Sequence, residues 1–178
     1  FIEAGLCKAL EVKKTIHLLE IGFGTGLNSW ATLKAKPKDT AIYYTALEKF
    51  PIDIVNLREF KDMLFGKSVD EREFNDIHAA PWNESTCIQE NFFLLKVEID
   101  FLEFNSINSF DLIYFDVFGY RVQPELWSRE IFKKMYESLK PNGVLVTYAA
   151  RGVVKRSMIE VGFTVEKLAG PPGKREMF

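Results

Sequence analysis

Short apolar runs alternate with longer amphipathic stretches from one end of this chain to the other, and that alternation predicts its elements. Apolar residues crowd into 16–21, 41–47, 92–99, 110–115, 144–148 and 163–168. Each run is short, rich in β-branched or aromatic residues and bounded by turn formers, so each is predicted as a strand. The run 110–115, Phe-Asp-Leu-Ile-Tyr-Phe, is of the kind buried on both faces in a parallel sheet. Helices are predicted over 27–36, from Pro51 to about residue 64, over 128–139 with Ser128 as cap, and over 152–161 with Gly162 as the terminating glycine. Residues 37–39 and 140–143 read as tight turns, 124–127 as a short turn and 170–173 as a rigid Gly-Pro-Pro-Gly loop. The polar stretch 67–91 reads as a short helix and a loop, and 174–178 as the start of a further strand.

Alternating strands and helices imply an α/β fold of Rossmann-like type, a mostly parallel sheet with helices on both faces. At 178 residues the expectation is one domain spanning 1–178, with no repeat or linker. Ligands in such sheets bind beyond the carboxyl ends of the strands. That rule selects the most informative stretch, Glu20-Ile21-Gly22-Phe23-Gly24-Thr25-Gly26-Leu27-Asn28, which joins the first strand to the first helix. Glycines at alternate positions let the backbone turn tightly and approach a ligand. Glu20 precedes the first glycine, and Glu48 ends the next strand, at the distance expected of a carboxylate that holds ribose hydroxyls. The spacing is Gly-x-Gly-x-Gly, which lacks the third glycine of the dinucleotide fingerprint, and no Walker lysine follows. The plainer reading is a glycine turn needed only for packing a helix on a sheet.

Three further strand ends carry candidate chemistry. Asp116 follows the most apolar strand; a carboxylate there can accept a proton or fix an amine, or simply cap a turn. Asp100 and Phe101 follow another strand and suit an adenine amino group and ring face, or a plain loop. Tyr148 lies at a strand end on the substrate side. Asn28, Trp30 and Trp82 read as core, capping or cofactor-side residues, and His17 and His78 as structural.

Composition narrows the function classes. A hydrophobic fraction of 47% with 16 Phe supports a filled core and excludes disorder. No apolar run approaches the ~20 residues that span a bilayer. Cys7 and Cys87 lie far apart and only two His are present, so no zinc site is expected and a reducing cytoplasm is the simplest compartment. The chain begins with Phe1 rather than Met, so its start is expected to be internal to a longer polypeptide. The net charge of −2 gives no global nucleic-acid signature. From Arg121 onward, however, eleven basic residues face six acidic ones, a local surplus of five that suits an anionic partner as well as an ordinary solvated surface.

Several motifs jointly resemble one family. Glu20 to Asn28 is similar to its cofactor loop, and 110–118 followed by Pro124-Glu125-Leu126-Trp127 to its catalytic strand and loop. Residues 139–143, 147–156, 162–166 and 170–177 continue the pattern. The family is the MnmC-type tRNA methyltransferases, and the resemblance covers nearly the whole chain. It implies a class I methyltransferase fold, S-adenosyl-L-methionine as cofactor, and methyl transfer to the aminomethyl group of the modified wobble uridine, giving 5-methylaminomethyl-(2-thio)uridine. Carried over by position, Asp116 is the catalytic residue. Glu20, Gly22, Gly24, Gly26, Asn28, Glu48, Asp100 and Phe101 form the cofactor side. Phe118, Arg121, Tyr148, Arg151, Lys155, Arg156, Lys174 and Arg175 form the tRNA side, facing the anticodon arm. A separate flavin-dependent oxidase acting upstream is a further implied partner; no membrane is. The loop departs from the family pattern where Tyr120 stands for a proline and Val122 for a lysine, with Arg121 beside them as a substitute charge. Two other readings remain: an aminopropyltransferase acting on a polyamine, disfavoured by Gly-Phe-Gly-Thr-Gly in place of Gly-Gly-Gly-Asp-Gly, and a non-catalytic tRNA- or partner-binding domain. Cofactor binding separates the last from the enzymes, and the acceptor separates the two transferases.

Overall fold

The structure, a computed structural model, describes residues 1–53, 57, 60, 63, 72–170 and 176–178. Its main sheet has the strand order β3-β4-β2-β1-β5-β6. The strands are β1 (Thr15–Ile21), β2 (Ala41–Glu48), β3 (Ser85–Gln89), β4 (Phe92–Glu98), β5 (Phe110–Phe115) and β6 (Leu139–Val146). Every neighbouring pair is parallel except β3 with β4. The helices are α1 (Leu27–Ala35), α2 (Arg72–Ala79), α3 (Arg129–Ser138) and α4 (Gly152–Glu160). The helix expected from Pro51 lies largely outside the described residues, as do Lys174, Arg175 and most of the 170–173 loop.

Successive residues of β5 alternate between two cores, as the period of two requires. Leu112 and Tyr114 join Ile16, Leu18, Tyr44, Phe92 and Leu94 on one face, with Leu33 of α1 and Ile77 of α2. Ile113 and Phe115 join Leu19, Ile21 and Leu47 on the other, under Ile131, Phe132 and Met135 of α3 and Val154 and Met158 of α4. All six residues of β5 are buried, which is why its sequence carries no polar face. Each such large side chain contributes roughly 1.5–3 kcal/mol by leaving water. Helical turns at Ile2–Cys7 and Lys8–Leu10 cover the first face. The ends of α3 and α4 are built as expected: Ser128 Oγ accepts from Ile131 N at 3.4 Å, and Gly162 follows α4 with φ of 113°.

Three expectations need correction. The strand expected over 163–168 shrinks to β7 (Leu168–Ala169), paired antiparallel with β8 (Glu176–Met177). Phe163 instead packs edge-on against Tyr136, its ring centroid 5.0 Å away, so its apolar character serves side-chain packing on α3 rather than a sheet. Within the polar stretch 67–91, β3 was not foreseen; it is an edge strand of alternating half-buried and exposed residues, and edges tolerate polar side chains. The turn at 140–143 is a bulge inside β6, because Leu139 faces Phe110 while Val144 faces Leu112.

That bulge has a cause in charge. Asp111, 4% exposed, sits opposite it. Lys140 Nζ reaches it from the bulge at 2.9 Å, His17 N donates to it at 2.9 Å, and Lys13 donates to its other oxygen. Burial alone would raise its pKa, but these three donors outweigh it and hold the carboxyl below its usual range. A buried carboxylate so held fixes the base of β1, β5 and β6. Asp111→Ala is expected to cost about 2–3 kcal/mol, because two partly exposed lysines and an amide lose their acceptor. Denaturant unfolding would measure it; a change below about 0.5 kcal/mol would mean the cluster contributes nothing.

Candidate functional site

The loop after β1 is shaped by glycines with left-handed backbone. Gly22, Gly24 and Gly26 have φ of 88°, 51° and 70°. At Gly22 a Cβ would lie 2.9 Å from the carbonyl oxygen of Asp116, and at Gly26 it would lie 2.9 Å from Phe23 and 3.0 Å from His78. At Gly24 a Cβ would meet nothing within 4 Å, so space lies open at the middle of the loop. The two outer glycines are needed for close packing, and the middle one leaves room for a ligand. Amides of Gly22 and Phe23 both donate to the Leu47 carbonyl, at 3.0 and 3.2 Å, which moors the loop on β2.

Glu48 closes this loop from β2. Its carboxylate accepts from Gly24 N and from Phe50 N, each at 2.9 Å. Glu20 does something different. It is fully buried, accepting from Tyr44 Oη at 2.8 Å on one oxygen and from Asn28 Nδ2 at 2.8 Å on the other. The same Asn28 Nδ2 donates to Asp116 Oδ2 at 3.0 Å. One amide group therefore ties the carboxylate beneath the loop to the carboxylate at the end of β5. Burial is the main reason that Glu20 is raised to about 8; Asn28 and Tyr44 pull it down, while the charges of Asp116 and Glu48 push it further up. At neutral pH Glu20 is mostly protonated, which removes the repulsion of a second anion behind Asp116.

Asp116 is exposed and opens into a cleft of about 450 Å³. One wall is the segment after β5, with Val117, Gly119, Tyr120 and Arg121; the other is the segment after β6, with Thr147, Tyr148 and Arg151. Trp127 forms part of the lining and anchors the first wall by donating Nε1–H to the Phe118 carbonyl at 3.1 Å. The Phe118 ring is 67% exposed at the rim. Arg151 lies over the Tyr120 ring, 5.2 Å from its centroid, so the two walls touch at the mouth.

Other sequence candidates fall outside this cleft. Asp100 pairs with Lys49 at 2.8 Å and accepts from Leu102 N at 2.9 Å; chiefly through Lys49 its carboxyl lies below the usual range. Phe101 is half-buried, edge-on to Phe115 in the second core. Of the basic residues after Arg121, Lys133, Lys140 and Lys167 are paired with Glu137, Asp111 and Glu176, and Lys134 donates to the Leu102 carbonyl. Among the described residues Arg121, Arg151, Lys155 and Arg156 carry no ion pair. Of these, Arg121 and Arg151 line the cleft and Lys155 and Arg156 lie in the first turns of α4, while Arg129, which also carries no ion pair among the described residues, opens α3.

Sequence reasoning missed two residues that grip the loop. His78 Nε2 donates to the Thr25 carbonyl at 3.1 Å, and burial lowers its pKa to about 4, so it is neutral with the proton on that nitrogen. Lys96, 1% exposed, donates to the His78 carbonyl at 3.0 Å and lies over the rings of Trp82 and Phe23, 5.0 and 5.6 Å from their centroids. A lysine inside a strand is the one available signal, since burying it demands a reason.

Comparison with known proteins follows from this geometry. A family model described as S-adenosyl-L-methionine-dependent methyltransferase matches residues 85–178. Over 175 residues the chain is 30% identical to the tRNA 5-methylaminomethyl-2-thiouridine biosynthesis bifunctional protein MnmC of Campylobacter fetus, covering 92% of this chain and 28% of that protein. The protein of the same name from Ectopseudomonas mendocina is 27% identical over 188 residues, covering 96% and 27%. The chain spans little more than a quarter of the length of these relatives. Among solved structures, MNMC2 from Aquifex aeolicus superposes with a TM-score of 0.70 at 25% identity, over 99% of this chain and 57% of that one. The N-methyltransferase NodS from Bradyrhizobium japonicum, 16% identical, covers 97% of this chain and 87% of its own with a TM-score of 0.56, and shares the fold.

The buried carboxyl predicts a pH dependence. The unfolded chain releases the Glu20 proton near 4.5, whereas the folded protein keeps it up to about 8. Its contribution to stability is therefore fully present below about 4.5 and is lost as pH rises toward about 8. Glu20→Gln keeps the shape without the titration, so its stability relative to wild type should climb steadily between pH 5 and pH 8. Unfolding curves at those two pH values decide it; a constant difference would show that Glu20 is ionised in the fold.

Proposed function

The chain belongs to the S-adenosyl-L-methionine-dependent methyltransferases, and on that premise we propose that it methylates the aminomethyl nitrogen of the modified wobble uridine of tRNA, giving 5-methylaminomethyl-(2-thio)uridine. The observation that carries this reading is Asp116, set at the floor of a cleft beside the glycine loop with Oδ2 held by Asn28. When bound, the cofactor supplies an electrophilic methyl group on a sulfonium.

The chain's own residues do the rest. An alkylamine is largely protonated at neutral pH, with a pKa near the ~10.4 of lysine, and then has no lone pair to offer. Asp116 attracts that ammonium, accepts a hydrogen bond from it and takes the proton as the nitrogen becomes the nucleophile. Asn28 fixes which way the Asp116 carboxylate faces. Glu48, itself steadied by Gly24 N and Phe50 N, has lone pairs left for ribose hydroxyls. Gly22 and Gly26 let the loop pack closely, Gly24 leaves room for the methionine portion, and Asp100 and Phe101 flank the adenine side. Arg121, Lys155 and Arg156, with Lys174 and Arg175, meet the phosphates of the anticodon arm. In this reading the aminomethyl substrate comes from a flavin-dependent oxidase activity. A cytoplasmic site of action accords with the two free cysteines and with the finding that no helix among the described residues is long and apolar enough to cross a membrane.

Nucleoside mass analysis of tRNA incubated with the protein and S-adenosylmethionine tests this. A gain of one methyl on the aminomethyl-uridine is expected; binding of cofactor with methylation of polyamines alone would replace the substrate assignment. Asp116→Ala should lower methylation by at least about 100-fold while cofactor affinity stays within about twofold. Asn28→Ala should lower it by about tenfold and shift the pH profile, since Asp116 loses its donor. Wild-type rates in Asp116→Ala would remove the residue from the mechanism. Lys155→Glu with Arg156→Glu should weaken tRNA binding and flatten its salt dependence; an unaltered slope would place the RNA elsewhere.

A further inference from the structure

We propose that Arg151, backed by the Tyr120 ring it lies over, forms a stacking wall for the pyrimidine ring of the substrate nucleotide, and that Arg151 acts there through its plane rather than as a phosphate contact. This deepens the tRNA reading and rests on it.

Tyr120 and Arg151 come from different segments, one after β5 and one after β6, and both line the cleft that holds Asp116. They meet across its mouth with the guanidinium 5.2 Å from the ring centroid. Tyr120 is four residues beyond Asp116, and its ring is half-buried against the second core, so it is a fixed surface rather than a loose loop residue. Gly119 meets no neighbour within 4 Å of a built Cβ, which leaves the floor between Asp116 and Tyr120 open.

Chemistry then selects the ligand. Arginine planes and aromatic rings both take nucleobases by stacking, and each stack is sequence-tolerant because every base has a π face. A base lying against this wall presents its edge to the cleft floor, where Asp116 receives an amine. A guanidinium already engaged on a ring is preorganised for stacking and less available to wander to a phosphate. Tyr120 supplies, from the wall after β5, the ring that supports the guanidinium of Arg151 from the wall after β6.

Four variants test the wall, with steady-state methylation of tRNA, cofactor affinity and the salt slope of tRNA binding as readouts. Tyr120→Ala should raise KM for tRNA about tenfold with cofactor affinity unchanged. Tyr120→Phe should restore KM to within about twofold, because the ring and not the hydroxyl acts. Arg151→Lys keeps the charge and loses the plane, so it should raise KM like Tyr120→Ala. Arg151→Gln should leave the salt slope as in wild type. An unaltered KM in Tyr120→Ala would overturn the wall. So would wild-type KM in Arg151→Lys joined to a shallower slope in Arg151→Gln, which would make Arg151 a phosphate contact. Loss of thermal stability and cofactor binding together in Tyr120→Ala, with no rescue by Tyr120→Phe, would make the residue structural and equally overturn it. Failure of the wild-type protein to methylate any tRNA would instead defeat the substrate reading itself.

Discussion

One amide group holds this site together. Asn28 sits in the first turn of α1 and donates to Glu20 beneath the glycine loop and to Asp116 at the end of β5. Of two carboxyl groups so linked, the buried one carries a charge at the greater cost. The deeper one gives way: Glu20 keeps its proton to about 8, while Asp116 is exposed and lines the cleft. The arrangement couples the strand that starts the loop to the strand that ends at Asp116. It also makes the loop's conformation and the aim of Asp116 a single property of the molecule.

A second set of contacts keeps that loop from relaxing. Its carbonyl at Thr25 is held by a neutral His78, whose own carbonyl is held by the buried Lys96. The ring of Phe23, within the loop, meets His78 and Trp82 at centroid distances of 5.7 and 5.8 Å. Three glycines in five residues leave an isolated peptide many conformations, so the loop keeps a single one only where its surroundings hold it. Here β2 holds the loop's amides and α2 with β4 holds its far side, so the loop is fixed with open space beside Gly24.

The cleft is polarised by the same economy of charge. Three lysines of the last third, Lys133, Lys140 and Lys167, are used up in pairs on the surface or at the base of the sheet. Arg121 and Arg151 line the cleft together with Asp116 and Glu176, and Lys155 and Arg156 lie on α4. A ligand that brings both a cation and anions is complementary to that mixed pattern.

Much of this was legible in the sequence. The short apolar runs specified five parallel strands because a strand buried on both faces tolerates almost no polar side chain, and β5 shows none but Asp111. Glycine spacing specified the loop, since only glycine takes those backbone angles without strain. Strand-end positions singled out Glu48 and Asp116. The tertiary structure alone decided what each carboxylate does. Glu20 and Asp116 lie far apart in sequence, and only the β1–β5 pairing brings them to either side of Asn28. The edge strand β3 and the bulge in β6 were illegible for a related reason: one depends on an open sheet edge and the other on a buried charge across the ladder. His78 and Lys96 gave weak signals because their roles rest on contacts with Thr25, Phe23 and Trp82, and a linear pattern records periodicity, not which side chains meet.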